Sequence, residues 1–404
     1  MMKRPLSLKT MLLYSVASAG TNMVAAFTNA ALPLYLVPYG LPGWLVGLLA
    51  QERSGVGGLV QPVIGLLSDR TRTRFGRRRP YFLVGAPLTA LALAFLAFDP
   101  PLVPMVAVVS VLAFLLAIAN DPYLALLADL TPEAQRGRVG SFMGIFGMVG
   151  QIGVVLMAAF VWDLSQTAVI LAVALGVIAC FAITFFGVQE PPIVAEPPKA
   201  SGPRVGVVAY VRDVLQYREV VKYSLAMTFF WLGGGAAAPF LTRFGVFEPG
   251  LDAGTSFFLV TMLAICTAGF AYPAGLLGDR IGKKRVQLIG LVFFAVAILL
   301  GSQARTIEQL LPAIFFIGIG NAIPYVLAFP LLADLMPQER AGEFTGLGSM
   351  LWSLTQPFGA LLAGALADLS GGYRWGFVFA GLMMLCSFAV LLTVQAPGRQ
   401  EVAA

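Results

Sequence analysis

"GLLSDRTRTRFGRRRPY", Gly65–Tyr81, sets six arginines (Arg70, Arg72, Arg74, Arg77, Arg78 and Arg79) directly after an apolar run. It has an echo about half a chain length later, "GLLGDRIGKKR", Gly275–Arg285. A second pair keeps nearly the same spacing: "LLADLTPEAQRGRVG" from Leu126 and "LLADLMPQERAGEFTG" from Leu331. Two pairs at matching offsets describe one unit written twice. The apolar runs around them then decide what that unit is.

The 404 residues are 58% hydrophobic and 11% charged, against about 25% charged in an ordinary soluble domain. Apolar stretches long enough to cross about 30 Å of hydrocarbon follow one another closely. They fall near 11–35, 44–67, 81–99, 104–127, 140–162 and 167–188, and again near 221–242, 256–277, 285–304, 308–333, 344–367 and 375–394. Backbone groups in lipid need internal partners, and the alternation of a barrel strand is missing, so these runs read as helices. The predicted fold is an all-α integral membrane protein with twelve spans in two related six-helix bundles, at 1–189 and 221–404, joined by a Pro-rich cytoplasmic linker at 190–220. Six is an even number, so each copy starts and ends on one side and the copies lie parallel. The basic N-terminus leads into a retained first span, since no small-residue cleavage site follows it.

The net charge of +6 does not mark a nucleic-acid binder. All of the 26 basic residues except Arg53, Arg243, Arg305 and Arg374 fall in one alternating set of short loops and both termini, or at their edge. That bias predicts cytoplasmic termini and a multi-pass protein of the cell inner membrane, with loop arginines against anionic lipids. With no histidine in the chain, a His-ligated zinc, a Ser-His pair and a histidine switch are excluded. Cys180, Cys266 and Cys386 sit in apolar runs without ligand spacing and read as packing residues. No nucleotide-binding loop occurs. Neither an enzyme nor a cofactor is expected.

Gly65 and Gly275 stand near the ends of the second and eighth spans, where a glycine permits close helix approach. Asp69 and Asp279 follow, beside Arg70 and Arg280. Such carboxylates can cap a neighbouring helix or pair with arginine from another loop. With Arg74, Gly76 and Arg77 they form the expected gating loops, which also anchor topology.

These repeated loops resemble the cytoplasmic loop motif of the major facilitator superfamily, over the whole chain. "VQPVIGLLSDRTRTRFGRRRPYFLVG", from Val60, resembles the sucrose transporter family more narrowly. "NDPYLALLADLTPEAQRGR", from Asn120, is similar both to that family and to the glycoside–pentoside–hexuronide cation symporters. The resemblance implies two bundles around a central site, alternating access, and a sugar moved with a coupled ion. Asp121 matches a carboxylate in the fourth span of the melibiose-type symporters. Gly57 and Gln61 stand where those carry two more carboxylates, and Leu124 where plant sucrose transporters carry arginine. The sodium set is therefore incomplete, and a proton is the expected coupling ion.

Three charges lie deep in spans: Glu52, Arg53 and Asp121. Charge in hydrocarbon costs several kcal/mol, so these should face a cavity or one another. Glu52 and Arg53 lie roughly 12–14 Å in from the outer end of their span and Asp121 roughly 12 Å in from the inner end. Asp121 or Glu52 is the expected proton carrier, with a permanent interhelix ion pair as the structural alternative. Arg53 could instead hold a substrate hydroxyl or carboxylate. Asn22, Asn29, Asn120, Tyr123, Gln151, Asn321, Tyr325 and Gln356 add hydrogen-bonding groups, and Trp231 adds a ring face for a sugar. Each amide taken singly is also plausible helix–helix glue. Pro122 and Pro324 beside polar residues predict bendable helices. The leading expectation is a single-chain, proton-coupled importer of a sugar or glycoside. Efflux of a hydrophobic compound is the alternative, and a non-transporting sensor or assembly protein of the same fold is the third.

Overall fold

Helix accounts for nearly all of the regular structure, as backbone in hydrocarbon requires. The computed structural model describes residues 5–190, 213–336 and 340–395; most of the expected linker and the end of the tail lie outside them. Among the described residues the helices form twelve rods. In the first half these are α1 (Leu8–Tyr35), α2 (43–70), α3 (Pro80–Leu96), α4 (Leu102–Leu130), α5 (Glu133–Val161) and α6 (Gln166–Gly187). In the second they are α7 (Arg218–Phe247), α8 (Ala253–Ile281), α9 (Lys283–Gly301), α10 (Ile307–Leu335), α11 (Ala341–Ser370) and α12 (Arg374–Leu392). Ten of them are long and apolar enough to cross a membrane, so the chain is multi-pass.

Local chemistry fixes many ends. Ser7 and Ser165 accept the amide N–H groups of Thr10 and Ala168 and start α1 and α6. Pro80 opens α3, where its missing N–H costs nothing. Gly371, at φ 74°, ends α11 in the left-handed conformation. The expected third span stops early, at Leu96, because the chain turns at Asp99 with φ 47°.

Two rods are broken. α1 carries a π-turn at Phe27–Ala31, just ahead of Pro33. α2 is two helices, Gly43–Ala50 and Glu52–Arg70, parted at Gln51 with φ −106° and ψ 12°.

The chain divides into two compact units. In the first, α1 packs on α5 and α6, α3 on α4 and α6, and α2 on α4. In the second, α7 packs on α11 and α12, and α9 on α10 and α12. Each of these pairs is six helices on from a pair in the first unit, so the sequence repeat is also a packing repeat. Lipid offers no hydrophobic drive for helix association, and close backbone approach and hydrogen bonds take its place. Gly85 of α3 therefore presses directly on the backbone of Ala119 in α4. Its counterpart Gly290 in α9 meets α10, where an added Cβ would lie 2.6 Å from that of Ile323. Tyr14 donates its hydroxyl to the carbonyl of Tyr123, 2.5 Å, and Tyr223 donates to that of Ala328, 2.9 Å.

The first unit also includes Pro239–Val246 and Leu251–Thr261, from the second half of the sequence. Thr242 donates to the Ala30 carbonyl at 2.9 Å, and buried Arg243 donates through Nε to that of Pro33 at 2.5 Å. The rings of Trp162 and Phe257 meet edge-on, 5.2 Å apart.

Candidate translocation site

In the first unit the breaks in α1 and α2 are tied together. Asn29, inside the π-turn, donates to the Ala25 carbonyl at 2.9 Å, and its Oδ1 accepts from Gln51 Nε2 at 2.8 Å. Ser54 reaches Gln51 Oε1 at 3.4 Å. π-turns and broken helices recur where transporters handle cargo. Gln51 is buried, and the sequence reading passed over it. Its signal was present in the run "QERSG", Gln51–Gly55, the most polar interruption of that span.

The break aims the next residue at α4. Glu52 Oε1 accepts the backbone N–H of Ala113, 2.9 Å, while Oε2 is buried without a hydrogen-bond partner. Asp121 is 7% exposed. Its Oδ1 lies 3.4 Å from Asn120 Nδ2, its Oδ2 has no hydrogen-bond partner, and the Arg53 charge acts on it. Thr21 of α1 donates to Asn120 Oδ1 at 3.1 Å. Glu52 and Arg53 on α2 and Asp121 on α4 thus lie on two packed helices, with Asn120 beside Asp121 and Thr21 of α1 bonded to Asn120.

The other predicted residues take several places. Asn22 donates to the Ser18 carbonyl, 2.9 Å, and abuts Gly147 of α5. Gln151 is exposed on α5. Tyr123 is fully buried, its ring packed among Tyr14, Phe82 and Phe181. In the second unit, Asn321 lies 3.4 Å from Thr267 Oγ1. The rings of Trp231 and half-exposed Tyr325 meet at 5.7 Å, and the indole N–H is buried without a partner. Gln356 contributes backbone against Gly235.

The loop motifs close within each unit. Asp69 pairs with Arg77 at 3.6 Å and Arg78 at 3.0 Å. Both arginines reach Asp129 of the "LLADL" segment, at 2.8 and 2.5 Å. Glu190 accepts the Arg78 amide at 3.0 Å and packs against Gly76, whose φ is 107°. Arg74 stacks on Phe75, and Arg70 is exposed. In the second unit Lys283 binds Asp334, 2.7 Å, the counterpart of Asp129. Asp279 and Arg280 are exposed. Among the described residues Gly65 has no neighbour within 4 Å of a Cβ, so the close approach expected there is not seen; Gly275 makes only an ordinary contact with Val326. Burial and the pull of Asp129 act oppositely on Arg77, and its guanidinium ends above its ordinary pKa.

A family profile for the Major Facilitator Superfamily matches residues 10–268 and 223–404. The chain belongs to the Major Facilitator Superfamily. As a superfamily member it is a secondary active transporter working by alternating access, and not an enzyme. Monocarboxylate transporter 13 of Bos taurus is 25% identical over 351 residues, covering 84% of this chain and 79% of that protein. Multidrug resistance protein 3 of Bacillus subtilis is 33% identical over 26% of this chain and 20% of its own length. Chloramphenicol resistance protein CraA of Acinetobacter baumannii is 28% identical over 43% of each chain. Among solved structures, the nucleoside transporter NupG superposes with a TM-score of 0.72 at 14% identity, covering 96% of this chain and 100% of its own. A D-xylose-proton symporter gives 0.69 at 14% identity, with 96% and 97% covered. These likenesses establish the superfamily fold. Among the described residues no group of three or more His, Cys, Asp or Glu is arranged to hold a metal ion.

Proposed function

We propose that this transporter takes up a sugar or glycoside together with a proton, with Asp121 as the proton carrier. The observation that carries this reading is Asp121 itself, buried in α4 with one unpartnered oxygen and under the influence of Arg53. An arginine that approaches or leaves a buried carboxyl group changes the protonation state it prefers. Motion of α2 against α4 would therefore load and unload the proton. The amides of Asn29, Asn120 and Gln51 supply the donor–acceptor pairs that sugar hydroxyls need. In this reading Arg53 meets a substrate oxygen in one state and Asp121 in the other. The resemblance to sucrose and glycoside symporters supports the substrate class.

In this reading all twelve rods span the cell inner membrane as two six-helix bundles, 1–189 and 221–404. Both termini are cytoplasmic, and a single chain is the working unit. The loop clusters around Asp129 and Asp334 brace the cytoplasmic ends of α2–α4 and of α9 with α10.

The similarity to Multidrug resistance protein 3 and to CraA favours a second reading, proton-coupled export of a hydrophobic compound. A thermal-shift panel of sugars, glycosides and lipophilic cations separates the two. Stabilisation by cations alone would remove the sugar reading. Coupling is tested in proteoliposomes with the stabilising solute under an imposed pH gradient. Asp121→Asn is expected to abolish gradient-driven uptake while leaving solute exchange; unchanged gradient-driven uptake would take Asp121 out of the role.

A further inference from the structure

The ends of α9 and α10 enclose a crevice of about 460 Å³. Ala297 and Leu300 of α9 form one wall, Ala313 and Phe316 of α10 the other, and Gln303 and Gln309 stand at the mouth. Leu300 and Phe316 are exposed ridges over small residues. The crevice continues an exposed apolar stripe along α9, through Ile289, Phe293 and Val296. These positions share one helix face, which belongs against hydrocarbon. Arg305 sits at the polar end. Its backbone N–H donates to Gln309 Oε1 at 2.8 Å, and its side chain is exposed, with no ion pair among the described residues. Glu308, also exposed, is the neighbouring acidic residue.

We propose that this crevice is a phospholipid site, holding one acyl chain along Leu300 and Phe316 with an anionic headgroup phosphate at Arg305. An acyl chain suits a mostly apolar crevice that continues an exposed apolar stripe. Arginine matches phosphate geometry with paired N–H donors. The two glutamines offer amides at the level of the ester carbonyls.

The test is native mass spectrometry of the full chain released from nanodiscs of mixed phosphatidylglycerol and phosphatidylcholine. The wild-type chain is expected to retain one phosphatidylglycerol. Arg305→Gln should reduce the preference for the anionic lipid roughly fivefold, as one interfacial cation implies, and Arg305→Lys should keep it. Glu308→Gln should raise it. Leu300→Asn, at an exposed wall position, should lose the lipid whatever its headgroup. Unchanged melting temperatures would verify that all three exposed positions tolerate substitution. Retention unaltered in Arg305→Gln or in Leu300→Asn overturns the proposal. So does a lipid-free wild-type chain, and a lipid-free dimer would assign the crevice to a second copy.

Discussion

Gly76 shows how much one residue of a charged loop can determine. Its φ of 107° lies where L side chains are strained, and a Cβ there would collide with the Glu190 carboxylate. Gly76→Ala is expected to cost about 2 kcal/mol, read as a lower melting temperature in detergent. The sequence made this glycine conspicuous between arginines. It could not supply the partner, because Glu190 lies far along the chain at the end of α6. Asp252 is a simpler case. It caps α8, accepting the Thr255 amide at 2.7 Å and the Thr255 hydroxyl at 2.6 Å. The hydroxyl bond first, and then the amide bond, hold its carboxyl below the ordinary carboxylate range. A depressed folded value stabilises above the unfolded value, and the gain vanishes as pH falls through the folded one. Asp252→Ala should thus cost about 1 kcal/mol near neutral pH. Its melting temperature should converge on that of the wild type as pH drops below about 4.

At the scale of elements, the joined breaks of α1 and α2 matter most. Gln51→Leu keeps the volume and removes the donor that reaches Asn29 Oδ1 among the described residues, leaving a part-buried oxygen bare. A loss of about 1–3 kcal/mol is expected, with Ser54→Ala costing less because its bond to Gln51 is long, at 3.4 Å; thermal unfolding of the two variants side by side checks the order. The helices themselves were legible, since apolar runs of this length admit little else. The fine structure inside them was not. Pro33 hinted at a disturbed first span, but a π-turn at Phe27–Ala31 and a break at Gln51 depend on what packs beside them. Tyr123 was expected among cavity residues and lies instead in a cluster of rings, because a tyrosine beside Pro122 reads the same on either face of a helix. The Trp231–Tyr325 pair joins two helices far apart in sequence, which no local pattern encodes.

For the whole molecule, the repeat seen in four short segments extends to helix packing, to the Gly85 and Gly290 crossings and to the Tyr14 and Tyr223 hydroxyls. The repeated "LLADL" segments were noticed as marks of duplication. Their aspartates, Asp129 and Asp334, turn out to be the acceptors for the cations of the other repeated motif. Sequence spacing showed both motifs but not that each completes the other.

The border between compact units does not follow the border between copies. Pro239–Val246 and Leu251–Thr261 complete the first unit although they are encoded in the second copy. A gene cut within the linker would therefore divide a compact unit as well as a chain. Expressed alone, residues 1–189 would leave the Ala30 and Pro33 carbonyls without Thr242 and Arg243, and the fragment should be cleared from the membrane. Supplied with the complementary fragment, it should accumulate and co-purify; equal yields alone and together would contradict this. The ancestral duplication thus left two similar scripts that are no longer independent. The first copy borrows part of its structure from the second, and neither lineage could now be recovered by separating them.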